Sequence, residues 1–278
     1  MKPTPTILAL ATSLAAMLAA TPGRAGLEIQ TETTFPETSE ARTRSGRMLL
    51  EGDRLRMEMP GQDSADGRGL TLIFRGDLGV VYVLDEKDRS YAQMDRKSAE
   101  QMRAKIEGAK QEMQAQMGKL PPEQRLAMEK MLAEQGFGDA ASAPPTPEIR
   151  TVATDRTTSV AGFTCREYDV FEGKQKIGDA CVAAWDATGT TRADFDSLRA
   201  FAAFEDEMSK AMAFGGRKRA GNEMTRLFDL GGVPVRMRAE RDGKVVSETR
   251  TVEIKKRDLA ADSFAPPAGW KKRSADAP

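Results

Sequence analysis

The sequence of 278 residues contains no histidine. Without imidazole, the chain cannot form a serine–histidine–aspartate triad, a cysteine–histidine pair or a zinc site that uses histidine. No other pairing of a nucleophile with a base, and no cluster of metal-binding residues, stands out along the chain. The sequence therefore predicts a protein that is not an enzyme, with no catalytic residue, no metal and no cofactor.

Long apolar runs are also scarce, and the one that is present lies near the start of the chain. It covers residues 7–20, which is shorter than the roughly 20 residues that a membrane-spanning helix needs. Lys2 precedes it, and the small residues Gly23 and Ala25 follow it at the spacing of a signal-peptidase site. We expect residues 1–25 to be a cleaved signal peptide, no segment to span a membrane, and the mature protein to be periplasmic.

An excess of charge of either sign is missing as well. Residues 1–25 contain Lys2 and Arg24, and without them the chain has 40 basic and 42 acidic residues. A nearly neutral protein exerts no bulk attraction on nucleic acid, so no nucleic-acid partner is expected. The sequence does not specify an oligomeric state, and a monomer is the simplest expectation.

Alternation of apolar and polar residues dominates the first part of the mature chain. Leu55 and Met57 alternate with charged residues, as in a strand with one face exposed to water. Similar short runs follow at residues 70–74, 80–84 and 90–94, separated by turns rich in glycine and aspartate. These patterns predict an antiparallel meander whose apolar face must be covered.

The apolar face of this meander is the candidate binding surface. Alternation places five side chains on it: Leu55, Met57, Leu70, Leu72 and Phe74. An apolar surface that is only partly covered usually marks a binding site. We therefore interpret these residues as the lining of an apolar cavity.

After Asp95, apolar residues recur every three or four residues instead of every second residue. The apolar residues then follow one stripe of a helix, which Pro121 and Pro122 interrupt before a second stripe begins. We expect a helical hairpin at residues 96–135 and a flexible, proline-rich linker at residues 136–148.

Methionines are frequent in this expected hairpin: Met102, Met113, Met117, Met128 and Met131. Core packing is the ordinary role of such a stripe. Adaptable contact with an apolar ligand or partner is a second interpretation, in which these residues form a lid over the cavity. A copper(I) site of thioether ligands is a third, although no histidine or free cysteine would strengthen it. The sequence leaves these alternatives open.

The two cysteines, Cys165 and Cys181, lie in the second part of the chain. They fall in two expected strands, equally far from a turn at Gly173, so a three-residue loop would place them directly opposite each other. In an exported protein, such a pair favours a structural disulfide over a redox site. In the chain-entropy model, the bond would stabilise the fold by about 3 kcal/mol.

The remaining elements of the chain are a helix, a hairpin and a tail. Residues 194–213 carry apolar and aromatic side chains at helical spacing, which predicts an amphipathic helix. A last hairpin turns at Asp242 and Gly243, the clearest turn signal in the chain. Residues 271–278 are expected to form a disordered tail.

Several short motifs are similar to those of a known group of proteins. Besides the expected signal peptide, they are Gly-Asp-Arg-Leu-Arg-Met at residues 52–57, Val-Val-Tyr-Val-Leu-Asp at 80–85 with Tyr91 beyond its turn, Ala-Gly-Phe-Thr-Cys at 161–165, and Phe-Ala-Pro-Pro-Ala-Gly-Trp at 264–270. Through these motifs, the chain resembles a family of uncharacterised periplasmic bacterial proteins related to the LolA/LolB-type carriers of outer-membrane lipoproteins.

The resemblance implies both a fold class and a function. The implied fold is α+β, with residues 26–270 forming one domain: a curved antiparallel sheet, or half-barrel, covered by helices, with the helical hairpin inserted. Carriers of this type shield acyl chains inside the half-barrel. We therefore expect a binding or chaperone-like protein for a lipid or a lipidated partner. The alternative is an envelope-stress or protein-interaction module that docks a partner through its methionine-rich helices.

Overall fold

The computed structural model describes residues 25–36, 42–59, 69–119, 121, 123–125, 148–211 and 226–273. Twelve strands occur among them: β1 (Gly26–Phe35), β2 (Arg42–Glu51), β3 (Arg54–Met59), β4 (Leu70–Arg75), β5 (Val80–Asp85), β6 (Ser90–Asp95), β7 (Ile149–Val160), β8 (Phe163–Glu172), β9 (Gln175–Ala184), β10 (Gly232–Arg241), β11 (Lys244–Arg257) and β12 (Lys271–Arg273). They form one sheet in the order β12-β6-β5-β4-β3-β2-β1-β11-β10-β9-β8-β7. The sheet is open and antiparallel, apart from the parallel pair β12 and β6.

Sequential hairpins build strands β2 to β6, as the alternating pattern predicted. In the turn between β2 and β3, Gly52 has a φ of 59°, which glycine adopts without the strain that a Cβ would cause. Between β5 and β6, the side chain of Asp85 accepts hydrogen bonds from the backbone N–H groups of Lys87 and Asp88. Local turn chemistry therefore fixes the meander.

The two end strands of the sheet differ greatly in length. β12 has three residues and β7 has twelve. We expected residues 271–278 to be a disordered tail, but Lys271–Arg273 instead pair with β6, whose edge offers unpaired backbone groups. The Lys271 N–H donates to the carbonyl of Arg89 at 2.9 Å. Residues 274–278 lie outside the described residues.

One face of the sheet packs against the helix α2 (Asp196–Ala211) and the short 3₁₀ turn before it, Arg192–Phe195. The amphipathic pattern at residues 194–213 predicted this helix. The buried cluster on this face includes Leu27, Ile29, Leu50, Leu55, Phe74, Val81, Val233 and Val235 from the strands and Phe195, Leu198 and Phe201 from the helical side. The helix is therefore part of the core.

The opposite face of the meander is covered by the segment that follows β11. Phe264 is fully buried at its centre, and it packs in one cluster with Leu49, Ile73 and Leu84 of the strands. The guanidinium of Arg54 lies 5.0 Å from the centroid of the Phe264 ring. This contact is within the range of a cation–π interaction. The motif at residues 264–270 thus seals one face of the sheet.

The disulfide that the sequence predicted is present between β8 and β9. Cys165 and Cys181 are joined and buried, with their Cα atoms 5.4 Å apart. Their placement directly opposite each other was wrong, because Cys181 lies opposite Glu167. The hairpin has a two-residue turn and an irregularity between Val170 and Phe171, which shifts the register. The cysteines are therefore diagonal neighbours across the ladder.

The structure describes only part of the expected helical hairpin. Its first helix is α1 (Arg96–Met117), and residues 123–125 are also helical. Residues 126–147, which include the rest of the hairpin and most of the expected linker, lie outside the described residues, as do residues 1–24 of the expected signal peptide. No helix among the described residues is long and apolar enough to cross a membrane.

Candidate functional site

Three directly opposed pairs of apolar residues cross strands β3 and β4: Leu55–Phe74, Met57–Leu72 and Met59–Leu70. Opposed residues of an antiparallel ladder lie on the same face, and we call these six residues the apolar strip. The five residues that the sequence assigned to the cavity all belong to it. Met59 was not assigned, although the alternation in β3 already places it on the same face as Met57.

Burial decreases steadily along the apolar strip. Leu55 and Phe74 are 0% and 2% exposed, and Met57 is 9% exposed. Met59 and Leu70, at the other end, are 39% and 42% exposed. The strip therefore begins inside the core and reaches solvent at the Met59–Leu70 pair.

Helix α2 fills the buried end of the strip. The ring centroid of Phe74 lies 5.4 Å from those of both Phe201 and Phe204. This separation is typical of favourable aromatic pairs. At this end, the space that we interpreted as a cavity is thus occupied by side chains of the protein itself. Leu55 and Phe74 contribute to the core, and a ligand-binding role for them stays a prediction.

The middle pair of the strip continues onto the neighbouring strands. Met48 of β2 lies opposite Met57, and Val83 of β5 lies opposite Leu72. Met48, Leu72 and Val83 are half-buried and pack against the core cluster. The strip is therefore joined at its middle by an apolar band that crosses four strands. Sequence reasoning missed Met48 and Val83, because only the strand register shows that they adjoin the strip.

A groove of about 330 Å³ lies at the solvent end of the strip. Met59 lines it together with mostly polar neighbours: Arg44, Ser45, Glu58, Gly69, Thr71 and Glu86. A second groove of about 260 Å³ lies near Leu27 and the ion pair between Asp194 and Lys256. Of these two grooves, only the first reaches the apolar strip.

Helix α1 begins directly after β6 and lies beside α2. Asp95 caps its first turn by accepting hydrogen bonds from the hydroxyl and the backbone N–H of Ser98. These bonds hold the pKa of Asp95 below its ordinary value. Arg96 forms an ion pair with Glu207 of α2 at 3.2 Å. The start of α1 is therefore fixed to both the sheet and α2.

Three of the five candidate lid methionines lie on α1. Met102, Met113 and Met117 are half-buried, and Ile106 is 36% exposed. The apolar stripe of α1 is thus only partly covered by the other described residues. Met128 and Met131 lie outside the described residues, and the lid role of all five methionines stays a prediction.

The methionines of α1 are unequally spaced, and the copper(I) alternative stays a prediction. Met102 and Met113 are about 16 Å apart along the helix axis, because each residue adds about 1.5 Å. Met102 is therefore too far from Met113 to share one copper(I) ion with it, whereas Met113 and Met117 are one helical turn apart. Among the described residues, no group of three or more acidic or cysteine side chains is placed to hold a metal ion.

Strands β8 to β10 carry a network of ion pairs. Arg236 contacts Glu167 at 2.8 Å and Asp179 at 3.2 Å. Arg238 also contacts Asp179, at 2.9 Å, and Arg156 contacts Glu167 at 2.6 Å. Hydrogen bonds from Arg156 and Arg236 hold the pKa of Glu167 below its ordinary value. Glu167 is therefore ionised and paired, which suits a structural role better than acid–base catalysis.

No protein-family model matches the chain, and no curated protein matches its sequence. Solved structures with a similar arrangement include the MucA/MucB complex of Pseudomonas aeruginosa, with a TM-score of 0.36 and 10% identity over 88% of this chain and 57% of that chain. A crystal structure of MucB has a TM-score of 0.34 and 12% identity over 89% of this chain and 59% of that one. A LolA superfamily protein from Nitrosomonas europaea has a TM-score of 0.26 and 11% identity over 88% and 91% of the two chains. The chain thus spans a little over half the length of the MucB chains.

Proposed function

We propose that the protein is a periplasmic, non-enzymatic binding protein for an apolar chain, such as the acyl chain of a lipid or of a lipidated protein. The acyl chain lies along the apolar strip. It enters at the Met59–Leu70 pair and reaches the Met57–Leu72 pair. The function is therefore to shield an apolar group from water while the protein itself remains dissolved.

The single observation that carries this proposal is the gradient of burial along the strip. A core contact that only stabilises the fold has no need to extend to a pair of side chains that are 39% and 42% exposed. Apolar surface that continues from the interior to solvent is the usual form of a binding site for an apolar ligand. Met59 lies at the solvent end of this surface, beside a groove whose other lining residues are mostly polar.

The chemistry of the strip favours a flexible aliphatic ligand. Met57, Met59 and the adjoining Met48 are unbranched and polarizable, so they adapt to a chain of variable shape. Phe201 and Phe204 close the inner end of the strip. A longer chain would therefore have to displace α2 from Phe74, and a shorter one would bind without such a movement.

The disulfide supports the proposed compartment. Cys165 and Cys181 are joined in the structure. Stable disulfides form in oxidising compartments such as the periplasm and are rare in the cytosol. The apolar segment at residues 7–20 supplies the export signal in this proposal.

The proposal is tested by titrating the protein with a fluorescent fatty acid. Leu70→Asp should weaken binding by at least about tenfold, because a charge beside an acyl chain costs several kcal/mol when it loses water. The matched control is Leu78→Asp in the turn after β4, where the leucine is 58% exposed and lies off the strip. Equal affinities of the two variants, or no uptake by the wild-type protein, would contradict the proposal.

A second candidate function rests on α1. Its stripe keeps Ile106 36% exposed, which suits the docking of a partner protein. If this is the function, Ile106→Glu should abolish capture of the partner, and Leu70→Asp should leave it unchanged. Fatty-acid titration of the same two variants separates the two functions, because Ile106 lies outside the apolar strip.

A further inference from the structure

Strand β7 forms one end of the sheet, and no described strand pairs with its outer edge. It has twelve residues and pairs regularly with β8 from Ile149 to Ala153, before an irregularity between Ala153 and Thr157. Arg150, Asp155 and Arg156 are its charged residues, and its β-branched residues are Ile149, Thr151, Val152, Thr154, Thr157, Thr158 and Val160. Native proteins usually shorten, charge or cover such an edge, because its free backbone groups pair with any extended chain. The opposite end of the sheet follows this rule, since β12 is short and consists of Lys-Lys-Arg.

Two hydrogen bonds show which residues of β7 direct their backbone groups outward. The carbonyl of Glu148 accepts from the N–H of Gly173, on the side of β8. The carbonyl of Ile149 accepts from the side chain of Arg226, on the other side. Since these directions alternate along a strand, Thr151 and Ala153 also direct their N–H and C=O groups to the outer edge.

Three arginines in or against β7 have no carboxylate partner among the described residues. Arg150 stacks over an aromatic ring of β8, 5.2 Å from its centroid. Arg166 donates to the carbonyl of Thr154 at 3.1 Å, and Arg226 donates to that of Ile149 at 3.0 Å. Their positive charge is therefore free to act on a ligand at this edge.

We propose that the outer edge of β7 binds an acidic, extended segment of a partner protein, which adds to the sheet as a further strand. The backbone groups of Thr151 and Ala153 supply the hydrogen bonds, and the three arginines supply the preference for acidic side chains. This site is separate from the apolar strip and goes beyond the proposed binding of an apolar chain. It gives the protein a means of recognising a polypeptide by its backbone and its charge.

The test uses a fluorescein-labelled peptide of about ten residues that alternates glutamate with valine or threonine, and fluorescence anisotropy of the full chain. Thr151→Pro removes one outward N–H and leaves the bonds to β8 intact, because proline is tolerated on a free edge. It should weaken binding by at least about tenfold. Thr151→Val is the matched control, since it keeps the N–H, and its affinity should equal that of the wild-type protein.

The charge preference is tested with a second pair of variants. Arg150→Glu combined with Arg226→Glu should reduce binding of the acidic peptide and should favour a peptide in which lysine replaces glutamate. Lys87→Glu combined with Lys97→Glu makes the same change of charge away from β7 and should have no such effect. A change of the same size in both double variants would show that binding depends on the net charge of the protein and not on a site at β7. That result would overturn the proposed site.

Two further outcomes would also overturn the proposal. One is the absence of binding by the acidic peptide at millimolar concentration. The other is a dimer of the wild-type protein, seen by light scattering, that Thr151→Pro dissociates, because the edge would then be occupied by a second copy of the chain. Protection of the Thr151 and Ala153 amides from hydrogen exchange only when the peptide is present would support the proposal directly.

Discussion

The two halves of the sheet are stabilised by different kinds of contact. Strands β2 to β5 contribute apolar side chains to clusters on both faces of the sheet, with Phe74 packed against α2 on one side and Phe264 packed against Ile73 on the other. Strands β8 to β10 also reach the core through Val233 and Val235, but the disulfide and the ion pairs around Glu167 join them as well. The first kind of contact depends on buried area and the second on direction and charge.

This difference indicates where binding can occur. An apolar contact remains favourable when one of its side chains is partly exposed to water. The strip from Leu55 to Met59 is of this kind, because it begins in the core and ends at the surface. A buried ion pair is less tolerant of change, because loss of one partner leaves an uncompensated charge. The half around Glu167 is therefore a cross-linked support, and the half around the strip is the part that we propose to accept an apolar ligand.

The largest expected effect concerns the sealed face of the apolar half. Phe264→Ala should lower the free energy of unfolding by about 3–5 kcal/mol, because Phe264 is fully buried and truncation leaves a cavity. Urea denaturation measures the change. Leu78→Ala, at an exposed position in the same half, should change it by no more than about 0.5 kcal/mol. A similar small value for Phe264→Ala would mean that residues 258–270 do not seal this face.

The next largest effect concerns the disulfide of the other half. Replacement of Cys165 and Cys181 by alanine should cost about 3 kcal/mol, because the unfolded chain regains the freedom of a closed loop. Reduction of the wild-type protein should lower the free energy of unfolding by a similar amount, which appears as a lower urea midpoint. Two free thiols in the unfolded, unreduced protein would show that the bond is absent.

A smaller effect, with a defined pH dependence, is expected at Glu167. Its folded-state pKa is lowered, so its contribution to stability is fully present above its unfolded pKa and is lost as pH falls through the lower folded value. Glu167→Gln should therefore cost about 2 kcal/mol at pH 7. The difference from the wild-type protein should shrink as the pH falls below about 4.

Urea denaturation at pH 7 and pH 3 measures this dependence. Glu253→Gln is the matched control, because Glu253 pairs with Lys255 at the surface and its loss should cost no more than about 0.5 kcal/mol at either pH. A cost of Glu167→Gln that is the same at both pH values would contradict the ionised, paired state of this carboxylate.

The smallest effect on stability is expected on α1. Replacement of Met113 and Met117 by alanine should change the free energy of unfolding by less than about 1 kcal/mol, since both side chains are only half-buried. Binding of a fluorescent fatty acid should nevertheless weaken if these methionines form part of a lid. Unfolding of this variant would assign them to an ordinary core.

Local patterns in the sequence predicted the elements of both halves but not what covers them. Alternation identified the face that carries Leu55, Met57, Leu72 and Phe74, because a strand repeats every two residues. It could not show that Phe201 packs on Phe74, since that contact joins segments that are far apart in the chain. The aromatic stripe of α2 indicated that one face of this helix is buried, but it did not identify the residues that the helix packs against.

Two errors have the same physical origin. The cysteines were expected to be directly opposed, but a register depends on turn length and on bulges that have no strong sequence signature. Residues 271–278 were expected to be a disordered tail, yet Lys271–Arg273 add to the free edge of β6. Backbone pairing of this kind depends little on side chains, so composition does not reveal it.

The central claim is that an acyl chain lies on the apolar strip, and photo-crosslinking tests it most directly. A fatty acid with a diazirine near its methyl end would be bound to the folded protein, irradiated and located by mass spectrometry of the resulting peptides. We expect attachment to Met57, Met59, Leu70 or Leu72, and a reduced yield in Leu70→Asp but not in Leu78→Asp. Attachment spread over the surface, or confined to α1, would contradict it.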